Sequence, residues 1–218
     1  MMKLLHILGV LLFPPKCVLC GKILSKQETD LCRICRVEAP ICPPMRKKLP
    51  FVAQWSALWY YKDTVRRSLL RYKFYNTPSY APVYGRHLAM KLRQELPEWD
   101  LLTWIPISKK RRRKRGYDQV ELLTEAVSRE LETEPIQTLR KIRDNPPQSG
   151  ISGEAKRRAN VLGVYKVVDP GLVAGKRVLL LDDIVTTGAT VSEASRVLLS
   201  AGAKEVICAA VATADPQS

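Results

Sequence analysis

Asp182 and Asp183 stand at the end of the apolar run Val178-Leu179-Leu180-Leu181, and after Ile184 and Val185 comes Thr186-Thr187-Gly188-Ala189-Thr190. A hydrophobic strand of this kind carries a loop to the carboxyl edge of an open α/β sheet, where ligands bind. The backbone N–H groups of a small-residue turn converge on a phosphate, and a helix N-terminus adds partial positive charge. Gly188 permits a backbone geometry that a side chain would block, and the threonine hydroxyls are further donors. The acidic pair would repel a phosphate and needs other partners. Ribose hydroxyls, with a Mg²⁺ ion bridging to a pyrophosphate, satisfy it. The plain alternative is a solvated Asp-Asp pair beside an ordinary helix start.

Cys17-x2-Cys20 and Cys32-x2-Cys35 form two knuckles separated by 11 residues. Each can present two thiolates to one ion, and together they close a tetrahedral Zn²⁺ site with no open position, which makes it structural. Disulfides would require export, and a redox motif would not be doubled. Cys42 has no partner in sequence, and Cys208 sits in an apolar run as a core thiol.

Lys109 to Arg115 is an unbroken run of seven basic residues, followed by Gly116-Tyr117-Asp118-Gln119. A few cations suffice for a pyrophosphate, so the surplus points either to a nucleic-acid backbone, with strong salt dependence, or to a solvated basic loop. Tyr72, Phe74, Tyr75 and Tyr80 lie among Arg66, Arg67, Arg71 and Lys73, an interleaving that fits base stacking or aromatic core packing. His6 and His87 have no ligand or triad context.

The elements that must position these groups are readable. At 218 residues the chain can bury a core, and 46% hydrophobic with 26% charged residues is ordinary for a globular protein. The net charge of +15 is uneven, since residues 161–218 sum to −1 and everything before them is basic. That balance favours a polyanionic partner, or simply gives a basic, soluble surface. Residues 1–48 read as a Cys-rich module closed by a Pro- and Lys-containing linker, and 51–218 as the main domain. Lys3 with Leu4 to Phe13 resembles a signal start but is too short to span a bilayer and lacks a cleavage site, which predicts a short helix on the cysteine module.

Downstream, a strand is expected over Phe51–Tyr61, then helices beginning at an Asp63 N-cap and over Val83–Leu96. Strands are expected over Leu101–Ile107, Ile136–Ile142, Val161–Val168, Arg177–Leu181 and Val206–Ala212. Asp118 and Glu121 have capping-box spacing and open a helix to Glu132, and Thr190–Ala201 forms a helix that ends at Gly202. Asn145–Asn160 reads as a polar loop with a short helix, and Gln148–Asn160 as a segment that closes over a transferred group. Strands alternating with helices give a parallel α/β sheet.

The 13 residues Val178 to Thr190 resemble the phosphoribosyl-pyrophosphate (PRPP) motif of type I phosphoribosyltransferases. With the double CxxC, R-G-Y-D-Q-x-E-L-L and Q-S-G-I-S-x5-R-x-N, the chain resembles the ComF family over nearly its whole length. The resemblance implies a type I phosphoribosyltransferase-like fold behind a zinc finger, in a cytoplasmic bacterial protein without a membrane span. It implies PRPP bound with Mg²⁺ by Asp182, Asp183, Thr186, Thr187, Gly188, Ala189 and Thr190, with Lys109 and Lys110 in the region of the pyrophosphate loop. Asp182 and Asp183 would be the catalytic pair if phosphoribosyl transfer to a nucleobase or amine occurs; a further alternative is a PRPP-sensing regulator, in which the bound ligand alters affinity for a partner. Arg111, Arg112, Arg113, Lys114 and Arg115 are then left for single-stranded DNA, in natural transformation beside a DNA-uptake helicase or recombination proteins. Two departures stand out. Asp118 replaces the family's usual Asn, which removes a hydrogen-bond donor, and only Cys42 remains of a further cysteine pair.

Overall fold

β5 (Arg177–Val185) and β6 (Glu205–Thr213) are buried at almost every position and mostly apolar, and the sheet is built around them. Continuous hydrophobic runs suit a parallel strand covered on both faces. The sheet order is β1-β6-β5-β2, with β1 at Gln54–Tyr60 and β2 at Leu101–Trp104, and every pairing is parallel. The computed structural model describes residues 14–146 and 153–215. The N-terminal apolar run and Gln148–Ser152, the first part of the Gln148–Asn160 segment, lie outside them.

Strand alternation sorts the core into two halves. Leu179 and Leu181 of β5 face a cluster shared with α2 (Asp63–Phe74), α3 (Ala81–Glu95) and α5 (Gln119–Leu131). Cys17, Val18 and Leu19 belong to the same cluster, so the cysteine segment packs on the sheet's helical cover. Val178 and Leu180 face the other side, with α7 (Ala189–Ser200) and the antiparallel pair β3 (Leu139–Lys141) and β4 (Tyr165–Val167). The smaller helices are α1 (Arg33–Glu38), α4 (Lys109–Arg115) and α6 (Glu154–Val161).

Several boundaries differ from expectation. Asp63 is the first helical residue, not the cap, and Lys62 precedes it without a side-chain cap bond. β2 ends at Trp104, two residues before Pro106, which has no N–H to give a neighbouring strand. The basic run is a helix, not a loop. The Ser108 hydroxyl accepts from the Arg111 N–H at 3.2 Å, Gly116 at φ 84° terminates the helix, and Lys and Arg are good helix formers when water screens them. The capping box is half made. Asp118 accepts from the helix N–H groups, whereas Glu121 reaches Arg112 at 3.0 Å.

Helices α3 and α5 meet at Gly85. A Cβ there would lie 2.5 Å from the Ala126 Cβ and 2.8 Å from its carbonyl carbon. Gly85→Val gains little helix propensity over glycine and must push a backbone aside, so we expect a loss of about 3 kcal/mol in chemical denaturation.

Candidate functional site

Asp182 and Asp183 are adjacent in β5, so their side chains leave opposite faces of the sheet. Both are buried, at 8% and 4% exposure, and each therefore needs partners. Asp183 points into the helical cover. There Lys73 Nζ lies 2.8 Å from its Oδ1, and Gln119 Nε2 donates to its Oδ2 at 2.7 Å. Asp182 accepts from the Asp183 N–H at 2.8 Å. Burial, followed by the neighbouring Asp183 charge, raises its pKa, and Lys73 partly offsets this.

Asp182 also acts electrostatically on Tyr165 and Lys141 from the β3–β4 pair. Burial raises the Tyr165 phenol, with Asp182 the next contributor. Burial, reinforced by Arg111, depresses Lys141 to about 8. The Lys141 ammonium lies 5.6 Å from the Tyr165 ring centroid. A lysine whose pKa is lowered in this way, within the field of Asp182, can hold or release a proton more readily than an ordinary one.

The turn after β5 leads directly into helix α7. Thr186 is exposed and Thr187 half-buried, and Thr187 Oγ1 accepts from the Ala189 N–H at 3.4 Å. Gly188 caps α7 at φ 82°, and a Cβ on it would lie 2.5 Å from Leu49 Cδ2. The residue after the cysteine segment thus braces the turn that leads into Thr190.

A hydrogen-bonded chain leads from the acidic pair to the basic helix. Arg115 Nη1 donates to Gln119 Oε1 at 2.7 Å, and the Gln119 amide donates onward to Asp183. The Arg115 guanidinium also sits 4.9 Å from the Phe74 ring centroid. Arg111 donates to the Asn145 carbonyl at 2.5 Å, and Arg112 pairs with Glu121. Lys109, Lys110, Arg113 and Lys114 are exposed. Lys109, Arg112, Arg113 and Gly116 line a shallow cavity of about 440 Å³. The cation beside Asp183 is Lys73, from another helix.

The aromatic group separates into two environments. Tyr72 is fully buried and donates to the Gln119 carbonyl at 2.6 Å, and Tyr80 packs edge-on against buried Tyr84. Phe74 and Tyr75 are exposed. Asp118 has a clear task. Its Oδ1 accepts from Val120 and Glu121, and its Oδ2 accepts from the Ile107 N–H at 2.9 Å, so both oxygens meet donors and the amide of an asparagine would meet the wrong one.

Cys17, Cys20, Cys32 and Cys35 bring their sulfurs within 4.8 Å of one another, so they could hold a metal ion. Cys20 and Cys32 are 3.7 Å apart, close to the edge of about 3.8 Å for a tetrahedron of thiolates about 2.3 Å from one ion. The Cys35 N–H points to Cys32 Sγ at 3.5 Å. The knuckle is fastened to α2. Ser68 Oγ donates to the Val18 carbonyl, and Arg71 Nη2 donates to those of Val18 and Leu19 at 3.1 and 2.6 Å. Cys42 and Cys208 are buried thiols, each pushed up to about 12 by burial.

Lys73, Lys141 and Tyr165 escape a reading of the sequence. None has a distinctive local spacing, and long-range folding brings each to the acidic pair. Gln119 is visible within R-G-Y-D-Q, but its bond to Asp183, 64 residues away, is not.

Two outcomes follow from this geometry. We expect one metal ion per chain by elemental analysis, and removal by a strong chelator should lower the melting temperature by more than about 10 °C. The depressed Lys141 pKa means that the folded chain binds fewer protons than the unfolded chain between about pH 8 and the ordinary lysine value of 10.5. Stability from this group therefore rises with pH through that window. Lys141→Met should raise the melting temperature at pH 7, and the gain should vanish as pH approaches 10.5.

Residues 121–218 match the phosphoribosyl transferase domain family. Competence protein ComFC of Streptococcus pneumoniae is 29% identical over 224 residues, covering 88% of this chain and 96% of that one. Competence protein F of Haemophilus influenzae is 25% identical over 217 residues, covering 88% and 93%. DNA utilization protein YhgH of Salmonella typhi is 27% identical over 221 residues, covering 90% and 96%. The second half of the chain is thus similar to phosphoribosyl transferase domains, and nearly its whole length is similar to the competence proteins ComFC and F and to YhgH.

Proposed function

We propose that this protein binds PRPP with Mg²⁺ at the β5–α7 turn and handles single-stranded DNA on the adjoining basic helix during DNA uptake. The hydrogen-bonded chain Arg115–Gln119–Asp183 carries this reading, because it joins the cationic helix to the acidic pair as one connected site. The names of the relatives, competence and DNA utilization proteins, agree with it.

In this reading Asp182 and Asp183 face the ribose hydroxyls and Mg²⁺, while Thr186 to Thr190 present N–H and hydroxyl donors to a phosphate. Lys109 and Lys110 stand at the exposed start of α4 for the pyrophosphate, and Arg111 to Arg115 extend the same charge toward a DNA backbone. The four cysteines hold a structural Zn²⁺ within a module spanning residues 1–48, set on a phosphoribosyltransferase-like domain over 51–218. No helix among the described residues is long and apolar enough to cross a membrane, and we place the protein in the cytoplasm, beside the helicase or recombination proteins that receive incoming strands.

A second reading, phosphoribosyl transfer to a nucleobase or amine, is favoured by Lys141. Its pKa of about 8 beside Asp182 suits a group that moves a proton during attack on the ribose. PRPP would then lose pyrophosphate, and the acceptor nitrogen would lose a proton.

Calorimetric titration with Mg²⁺-PRPP tests the binding site. We expect saturable binding that Asp182→Asn/Asp183→Asn abolishes, and no heat from the wild type would sink the reading. For DNA, retention on a filter should fall steeply as salt rises, and Ala at Lys109, Lys110, Arg113 and Lys114 should flatten that slope by up to about four charges. Pyrophosphate release across candidate nucleobases separates transfer from binding alone.

A further inference from the structure

α2 ends in two large rings that the core does not take. Phe74 is 59% exposed and Tyr75 72%, while Tyr72, two positions before Phe74, is fully buried. The rings lie beside the last residue of the basic helix, since the Arg115 guanidinium is 4.9 Å from the Phe74 centroid. Arg66 and Arg67 on the same helix are exposed. Exposed π-faces set against a row of cations favour a polyanion that also carries flat, apolar faces. A strand with unstacked bases has both features, whereas a duplex hides its base faces and an apolar protein partner gives the cations nothing.

We propose that Phe74 and Tyr75 are the base-stacking platform for single-stranded DNA whose phosphates lie along Lys109–Arg115. The proposal rests on the reading of that helix as a nucleic-acid surface and adds the residues that would distinguish single strands from duplex. The backbone supplies the salt-dependent attraction, and the rings supply stacking that any base can satisfy. Arg115 connects the two parts, with its guanidinium over Phe74 and an N–H on Gln119.

The test measures fluorescence anisotropy with labelled oligothymidine, an abasic strand of equal length, a blunt duplex and oligouridine. Wild type should bind oligothymidine at least about tenfold more tightly than the abasic strand or the duplex. Phe74→Leu/Tyr75→Leu keeps apolar bulk on an exposed turn. It should weaken oligothymidine binding by about 100-fold, roughly tenfold per ring, and change abasic binding less than twofold. In Phe74→Trp, emission should be quenched by oligothymidine and not by the abasic strand, which reports stacking independently of stability. Equal loss on both strands, or no loss on either, overturns the platform. A preference for oligouridine of tenfold or more overturns the assignment to DNA. A wild type that binds no strand removes the underlying nucleic-acid reading, a failure distinct from that of the rings.

Discussion

The alternation of side chains along β5 governs the site. Consecutive positions on a strand face opposite ways, so the neighbouring carboxylates of Asp182 and Asp183 are sent to different layers. Each layer then has to supply its own partners. The helical cover provides Lys73 and Gln119 to Asp183, and the β3–β4 side brings Lys141 and Tyr165 under the influence of Asp182. Stripping the partner from a buried charge costs about 3–5 kcal/mol, so Lys73 and its helix are held where the acid requires them. A divalent cation with ribose hydroxyls would take over the role the ammonium performs at Asp183.

Helix α2 transmits this constraint across the molecule. Along its final two turns, Ser68 and Arg71 hold the carbonyls of the cysteine knuckle, Tyr72 bonds the Gln119 carbonyl, Lys73 meets Asp183, and Phe74 lies against Arg115. The four cysteines are far from the acidic pair in sequence, yet the two are joined by one short helix. Leu49 makes a second link, filling the space that a Cβ on Gly188 would need. An ion held by the four cysteines would thereby stiffen both the cation beside Asp183 and the turn at Gly188.

The sequence made the parallel sheet, the cysteine cluster and the glycine turn after β5 legible, because local chemistry writes them. Val178 to Leu181 is apolar without interruption, CxxC pairs are dense, and Gly188 sits where a left-handed cap is needed. Lys73 and Lys141 were not legible, since their significance depends on residues more than 40 positions away that only the fold brings close. The helical state of the basic run is hidden for a related reason. Its charges suggest repulsion, but a Ser cap, a Gly stop and screening by water are enough for two helical turns. Asp118, which departs from the usual Asn, caps its helix as the spacing suggests, and also takes the Ile107 N–H, a third donor that no motif reveals.

The central claim is that the phosphate turn and the basic helix are one site, joined through Gln119. The affinity of labelled single-stranded DNA, measured with and without saturating Mg²⁺-PRPP, tests this most directly. Occupation of the acidic pair should rearrange Asp183, Gln119 and Arg115 together and shift DNA affinity by about fivefold or more, with Gln119→Ala removing most of the shift. A wild-type DNA affinity indifferent to bound PRPP would contradict the account.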